Sequence, residues 1–165
     1  MRRMACVAIA ALSLCAPASA QPAPDGTPLW RIHTENLTAD RALITHCLAA
    51  DEDKCLRVVQ DACLAGYEDI DHNSPPLQRT CDWRAIAAWE DEMNDTLGRL
   101  RTQLGGRDLD NLNASQTAWN ASMLADVGAG MDLFEGGSLA GPVGAHIRAR
   151  ATALRVLYLR YLESL

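Results

Sequence analysis

No apolar run in the chain approaches the roughly 20 residues that a membrane-spanning helix requires. The run from Ala5 to Leu14 is about ten residues long. No stretch alternates apolar and polar residues as a half-buried strand does, and β-branched residues are few. An excess of base is also missing: 15 Lys and Arg stand against 21 Asp and Glu, a net charge of −6. That balance argues against nucleic acid, whose binding rests on clustered cations.

Catalytic and cofactor motifs are equally scarce. His33, His46, His72 and His146 form neither HxxxH nor HExxH, and no serine sits in a nucleophile elbow. No cysteine pair has CxxC spacing, which removes the usual zinc knuckle and the thioredoxin-type redox motif. Glu90 and Asp91 are adjacent, so they cannot face each other across a cleft as glycosidase carboxylates do. The acids Glu68, Asp69 and Asp71 lack the alternating oxygen ligands and central glycine of a calcium loop. The residues therefore suggest no catalytic group, cofactor or metal site, and an enzyme is the least favoured reading.

What the chain does have begins with an export signal. Arg2 and Arg3 precede the apolar run, and Ala18-Ser19-Ala20 is a small-x-small cleavage site before Gln21, so residues 1–20 read as a signal peptide. Leu12-Ser13-Leu14-Cys15 departs from a lipoprotein box, with Leu before the cysteine. Cleavage would take Arg2 and Arg3 from the 15 bases, leaving 13 against 21 acids, a formal charge near −8. The expected destination is the periplasm or the medium, and an acidic exported protein favours encounter with a basic partner.

Cleavage also leaves four of the six cysteines: Cys47, Cys55, Cys63 and Cys81. In an oxidising compartment an even set of this kind reads as two disulfides. Four cysteines allow three pairings. If two short helices flank Asp51-Glu52-Asp53 as a hairpin, Cys47 faces Cys55 and Cys63 is left for Cys81, which favours that pairing without excluding the others.

Residues 21–37, with Pro22, Pro24 and Pro28, read as an irregular lead-in, and residues 38–165 as one helical domain. Thr38 is the expected N-cap of a first helix to about Ala49, and a second helix runs from Lys54 to about Leu64. Tyr67 to Arg79, containing Pro75-Pro76, reads as loop. A third helix spans Asp82 to Leu104, with Ile86, Trp89, Met93, Leu97, Leu100 and Leu104 on one face and Glu90, Asp91, Glu92 and Asp95 on or near the other. Leu109, Leu112, Gln116, Trp119, Met123 and Val127 give a fourth stripe; Val143, Ile147, Leu154, Tyr158, Tyr161 and Leu165 give a fifth. The expected fold is an all-α antiparallel bundle of about five helices, stapled by two disulfides in its N-terminal half.

Between the last two helices lies GGSLAGPVG, Gly136 to Gly144. A phosphate-binding loop would need a preceding strand and a GxxxxGK[ST] or GxGxxG pattern, and this segment has neither. Chain reversal is the better reading, with Gly136 and Gly137 supplying backbone freedom, Ser138 capping or bonding the turn, and Pro142 near a helix start.

The same region carries a resemblance. Leu112, Gln116 and Trp119 in LNASQTAW, then Gly136-Gly137-Ser138, then Thr152 and Arg155 in TALR followed by Leu159, resemble the C-terminal signature of the lysozyme-inhibitor LprI-like family of exported proteins. Cys81-Asp82-Trp83 with Trp89-Glu90-Asp91-Glu92-Met93-Asn94 is similar to that family's preceding helix, and the Cys47, Cys55, Cys63 series to the cysteine-rich lead-in of its longer members. The resemblance covers roughly residues 47 to 160. The family's two C-terminal cysteines fall at Val127 and Ile147, and a disulfide replaced at both ends by aliphatic residues implies that these two positions pack together. Arg155, one turn after Thr152, is expected to hold loop carbonyls or an acid of a neighbouring helix.

The resemblance implies a binding protein that inhibits a basic lysozyme or similar wall hydrolase. Its contact surface is sought in the Asp69 to Pro76 loop or the Glu90 to Asp95 acids. The alternative is an envelope interaction module of the same fold with no lysozyme target. Nothing in the residues fixes an oligomeric state.

Overall fold

The computed structural model describes residues 36–50 and 52–165, without the side chains at 51–53. The expected signal peptide and the expected lead-in before residue 36 lie outside the described residues. Helix α1 spans Leu37–Ala50, a 3₁₀ segment Glu52–Arg57, α2 Val58–Ala65, α3 Pro75–Gln103, α4 Gly106–Asp132 and α5 Ala140–Glu163, with no strand among the described residues. The protein is an all-α bundle of five helices, as the sequence led us to expect.

Two helix starts differ from expectation. Helix α1 begins at Leu37, where the Asp40 amide already donates to Asn36 O at 2.9 Å, so Thr38 lies inside the first turn instead of capping it. Helix α3 begins seven residues early, with Pro75 and Pro76 in its first two positions and Ser74 before them. Proline has no amide hydrogen, and the first turn of a helix offers no intrahelical acceptor for one, so a Pro-Pro pair is as compatible with a helix start as with a loop. The loop shrinks to Gly66–Ser74, and Cys81 lies in the second turn of α3.

Both disulfides are formed, Cys47–Cys55 and Cys63–Cys81. The first closes the turn between α1 and the 3₁₀ segment. The second fixes the end of α2 on α3, within a small satellite cluster of Leu77, Leu64 and Tyr67.

The centre of the molecule is α3 against α5. Arg79 lies beside Gly141 and Arg99 pairs with Glu163, so these two helices run parallel. Helix α4 returns antiparallel between them in sequence, with Gly130 against Ile147 and Gln116 against Arg155. The expected stripe of α3 is buried: Ile86, Trp89, Met93, Leu97 and Leu100 all lie in the main core, with Leu104 packed against it. Helix α1 adds Ile44 and Leu48 to that core.

The stripe expected for α5 is not the buried one. Leu154, Tyr158, Tyr161 and Leu165 are exposed, whereas Ala145, Ala149, Ala153, Val156 and Leu159 enter the core. Bulk misleads here: small side chains let two helix backbones approach, so the face pressed on α3 is the alanine face. Helix α4 behaves as read, burying Leu112 and Met123 and half-burying Leu109, Gln116, Trp119 and Val127.

Candidate functional site

The acids of α3 are committed to arginines. Arg41 of α1 donates to Asp91 at 2.8 Å, to Glu92 at 3.0 Å and to Asp95 at 2.6 Å. Arg148 of α5 donates from Nε to Glu90 at 2.9 Å and covers the Trp83 ring at 5.5 Å. Glu92 is buried and also has Arg160 Nη1 at 3.5 Å. Burial works to lower the Arg41 pKa, but its bonds to Asp95 and Glu92 outweigh that and raise it. The Glu90 to Asp95 acids thus tie α1 and α5 onto α3, and their charge is balanced inside the protein.

The signature residues of α4 and α5 meet one another. Arg155 Nε donates to Gln116 Oε1 at 2.9 Å and Nη2 to Ser115 Oγ at 3.1 Å. Its guanidinium covers Trp119 at 5.8 Å and Tyr158 at 5.2 Å. Gln116 in turn reaches Met93 Sδ on α3, and Thr152, fully buried, donates to Arg148 O. Arg155 therefore holds a side-chain amide, a hydroxyl and the indole ring of α4 and stacks on Tyr158 of its own helix, not on the loop carbonyls or acid expected of it. Desolvation lowers its pKa, with Tyr158 opposing; a guanidinium titrates so high that the charge remains.

A buried arginine with no carboxylate partner among the described residues has value through shape. We expect Arg155→Ala to destabilise by about 2 kcal/mol, since Gln116 and Ser115 lose their donor and two rings lose a packing surface. Arg155→Lys is expected to recover little of this, because an ammonium lacks the planar fork. Thermal melts of the three proteins check the order.

The signature turn follows α4. Glu135 has φ 48° and Gly136 φ 74°, the left-handed region in which glycine is at ease and glutamate is not. A Cβ at Gly137 would lie 3.0 Å from Phe134 O, which explains the second glycine sterically instead of by its φ. Ser138 does not cap: Leu139 occupies the cap position of α5 and makes no side-chain cap bond. Pro142 lies in the first turn of α5, as expected.

Behind this turn, α4 and α5 interlock through glycines. Ile147 lies against Gly130, and Val127 Cγ1 lies 3.5 Å from where Gly144 would carry a Cβ. The antiparallel register puts positions 127 and 147 in the same layer; Ile147 occupies the hollow at Gly130, whereas the hollow at Gly144 is occupied first by Met131, with Val127 beside it.

In the Asp69 to Pro76 segment, Asp71 Oδ1 accepts from the Asn73 amide at 2.9 Å, while Glu68, Asp69 and Ile70 are exposed. No group of three His, Cys, Asp or Glu residues among the described residues is placed to hold a metal ion.

One juxtaposition was invisible in the sequence. Asp82, buried beside Cys81, accepts from Gln60 Nε2 at 2.6 Å and has His146 Nδ1 at 3.5 Å. They line an open groove of about 290 Å³ between α2, α3 and α5. The second disulfide brings Gln60, one turn before Cys63, to Asp82; only the packing of α5 adds His146. Among the described residues its lining contains no Ser, Thr or free thiol for the His–Asp contact to activate.

A family model described as lysozyme inhibitor LprI matches residues 72–159. No curated protein and no solved structure matches the chain. The matched segment comprises α3, α4 and nearly all of α5, hence the Gln116–Trp119–Arg155 cluster, the glycine turn and the α3 acids together. Spanning more than half of the 165 residues, this match shows that the chain belongs to the LprI lysozyme-inhibitor family.

Proposed function

We propose that the protein is exported to the periplasm or beyond and there binds and inhibits a lysozyme-type wall hydrolase. The match of α3 to α5 to the lysozyme-inhibitor family carries this reading. An acidic chain suits it, since complementary charge speeds encounter with a basic enzyme. The signal-like start of the sequence agrees with export, and among the described residues no helix is long and apolar enough to cross a membrane. The role is one of binding; the polar clusters of the described residues serve packing and helix pairing.

The purified mature protein is expected to inhibit lysis of cell walls by a c-type lysozyme in a dose-dependent way, and less strongly as salt rises toward the range where the Debye length falls below about 8 Å. Absence of inhibition and of calorimetric binding across several lysozyme types would sink the proposal and leave an envelope interaction module.

A further inference from the structure

The distribution of charge over the helices is uneven. Between Arg107 and Arg148 the chain has no Lys or Arg, while Asp108, Asp110, Asp126, Asp132 and Glu135 fall in this interval. None of these five acids has an ion-pair partner among the described residues. The α3 acids, in contrast, are matched by Arg41, Arg148 and Arg160. Of the bases on the adjoining helices, Arg148 is engaged by Glu90 and Arg155 by Gln116 and Ser115, while Arg79 lies alongside Gly141 at the far side of the turn and pairs with none of the five acids. Uncompensated negative charge therefore collects on α4 and the turn after it.

At and beside the same turn apolar side chains reach solvent, Leu133 almost wholly and three others in part, Met131 packing its other side on Gly144 of α5. Leu133 is 81% exposed, and Met131, Phe134 and Leu139 about two fifths each, four within nine residues. Phe134 is the only phenylalanine of the chain. The backbone beneath them is ordered by a series of turn bonds: Phe134 N to Met131 O, Glu135 N to Asp132 O, Gly137 N to Phe134 O and Ala140 N to Gly137 O, all between 2.7 and 3.1 Å. An exposed apolar cluster on a pre-ordered turn loses little entropy on docking. The other exposed apolar strip, Leu154, Tyr158 and Tyr161 on α5, has the Arg155 guanidinium over Tyr158 and shares its helix with Arg150, neither of them matched by an acid among the described residues, a poorer match for a cationic partner.

We propose that the α4–α5 turn, with Leu133 and Phe134 at its tip and Asp126, Asp132 and Glu135 beside them, is the surface that docks on the basic wall hydrolase. This rests on the functional reading above. The apolar tip supplies the anchor that excludes water, and the acids beside it supply steering and selectivity against acidic proteins.

The test compares full-length mature protein with four variants against c-type lysozyme, by inhibition of wall lysis and by calorimetry at two salt concentrations. Leu133→Lys, at a side chain the fold does not use, is expected to weaken inhibition at least tenfold with the melting temperature unchanged. Asp132→Asn and Glu135→Asn, the latter keeping a residue that tolerates positive φ, are expected to weaken it several-fold and to flatten the salt dependence. Leu154→Lys is expected to inhibit as wild type. Wild-type inhibition that persists in Leu133→Lys overturns the surface and leaves the function standing; so does a wild-type dimer made monomeric by Leu133→Lys without loss of inhibition, which assigns the tip to a second copy. A wild-type protein that binds no lysozyme overturns the functional reading and this surface with it.

Discussion

Asp40→Ala is expected to lower the unfolding free energy by about 3–5 kcal/mol, the cost of removing one partner from a buried ion pair. Asp40 is 1% exposed, and its two oxygens accept from Arg84 Nε at 3.0 Å and Nη2 at 2.6 Å, joining α1 to α3. Arg84 is itself 14% exposed at the side chain, so alanine at 40 leaves a desolvated guanidinium without its acid. The paired replacement Asp40→Leu with Arg84→Met should return most of the loss, because it removes both charges from the interior. Urea unfolding of the single and double variants measures this. A double variant as unstable as Asp40→Ala would show that the acid acts through something other than Arg84. Asp95→Ala, at a half-exposed member of the Arg41 group, should cost less than about 1 kcal/mol.

Replacing Cys63 and Cys81 together by alanine is expected to destabilise by about 3 kcal/mol on the chain-entropy account of an 18-residue separation. The corresponding figure for Cys47 and Cys55, separated by 8 residues, is about 2.5 kcal/mol. The larger effect is reinforced by location. Cys63 and Cys81 hold the end of α2 in a satellite cluster whose only other fully buried member is Leu77, whereas Cys55 sits in the main core with Val59, Ile44 and Trp89. Hydrogen exchange in the double variant should rise first in α2 and the Gly66–Ser74 loop. Uniform exchange across all helices would contradict this local picture.

The helical class and the buried stripe of α3 were legible because each follows from local spacing, and spacing favoured the observed disulfide pairing over its two alternatives. Positions three and four apart share a helix face, and a short hairpin brings flanking cysteines together. The α5 stripe was not legible. Ala145, Ala149 and Ala153 carry little hydrophobic signal one by one, yet they form the contact face because α3 presents Trp89 and Leu97 to be covered. The start of α3 was missed since Pro75-Pro76 suits both a loop and a first helical turn, and only the continuation of packing chooses between them.

The candidate site divides in the same way. Trp119, Gly136, Gly137, Ser138, Thr152 and Arg155 stand out in the sequence, but their roles do not. That Arg155 holds Gln116 and Ser115 depends on the register of α4 on α5. That Glu90 to Asp95 are balanced depends on α1 and α5 arriving beside α3 with Arg41 and Arg148.

By itself the sequence determined the helical class, the apolar stripes of α3 and α4, the acidic balance and the family, because these are properties of composition and of spacing along one chain. Tertiary structure alone decided which acids are neutralised and which apolar residues remain outside. Charge compensation and burial depend on what lies across a helix interface, and residues 40 and 84, or 41 and 95, become neighbours only when the helices pack.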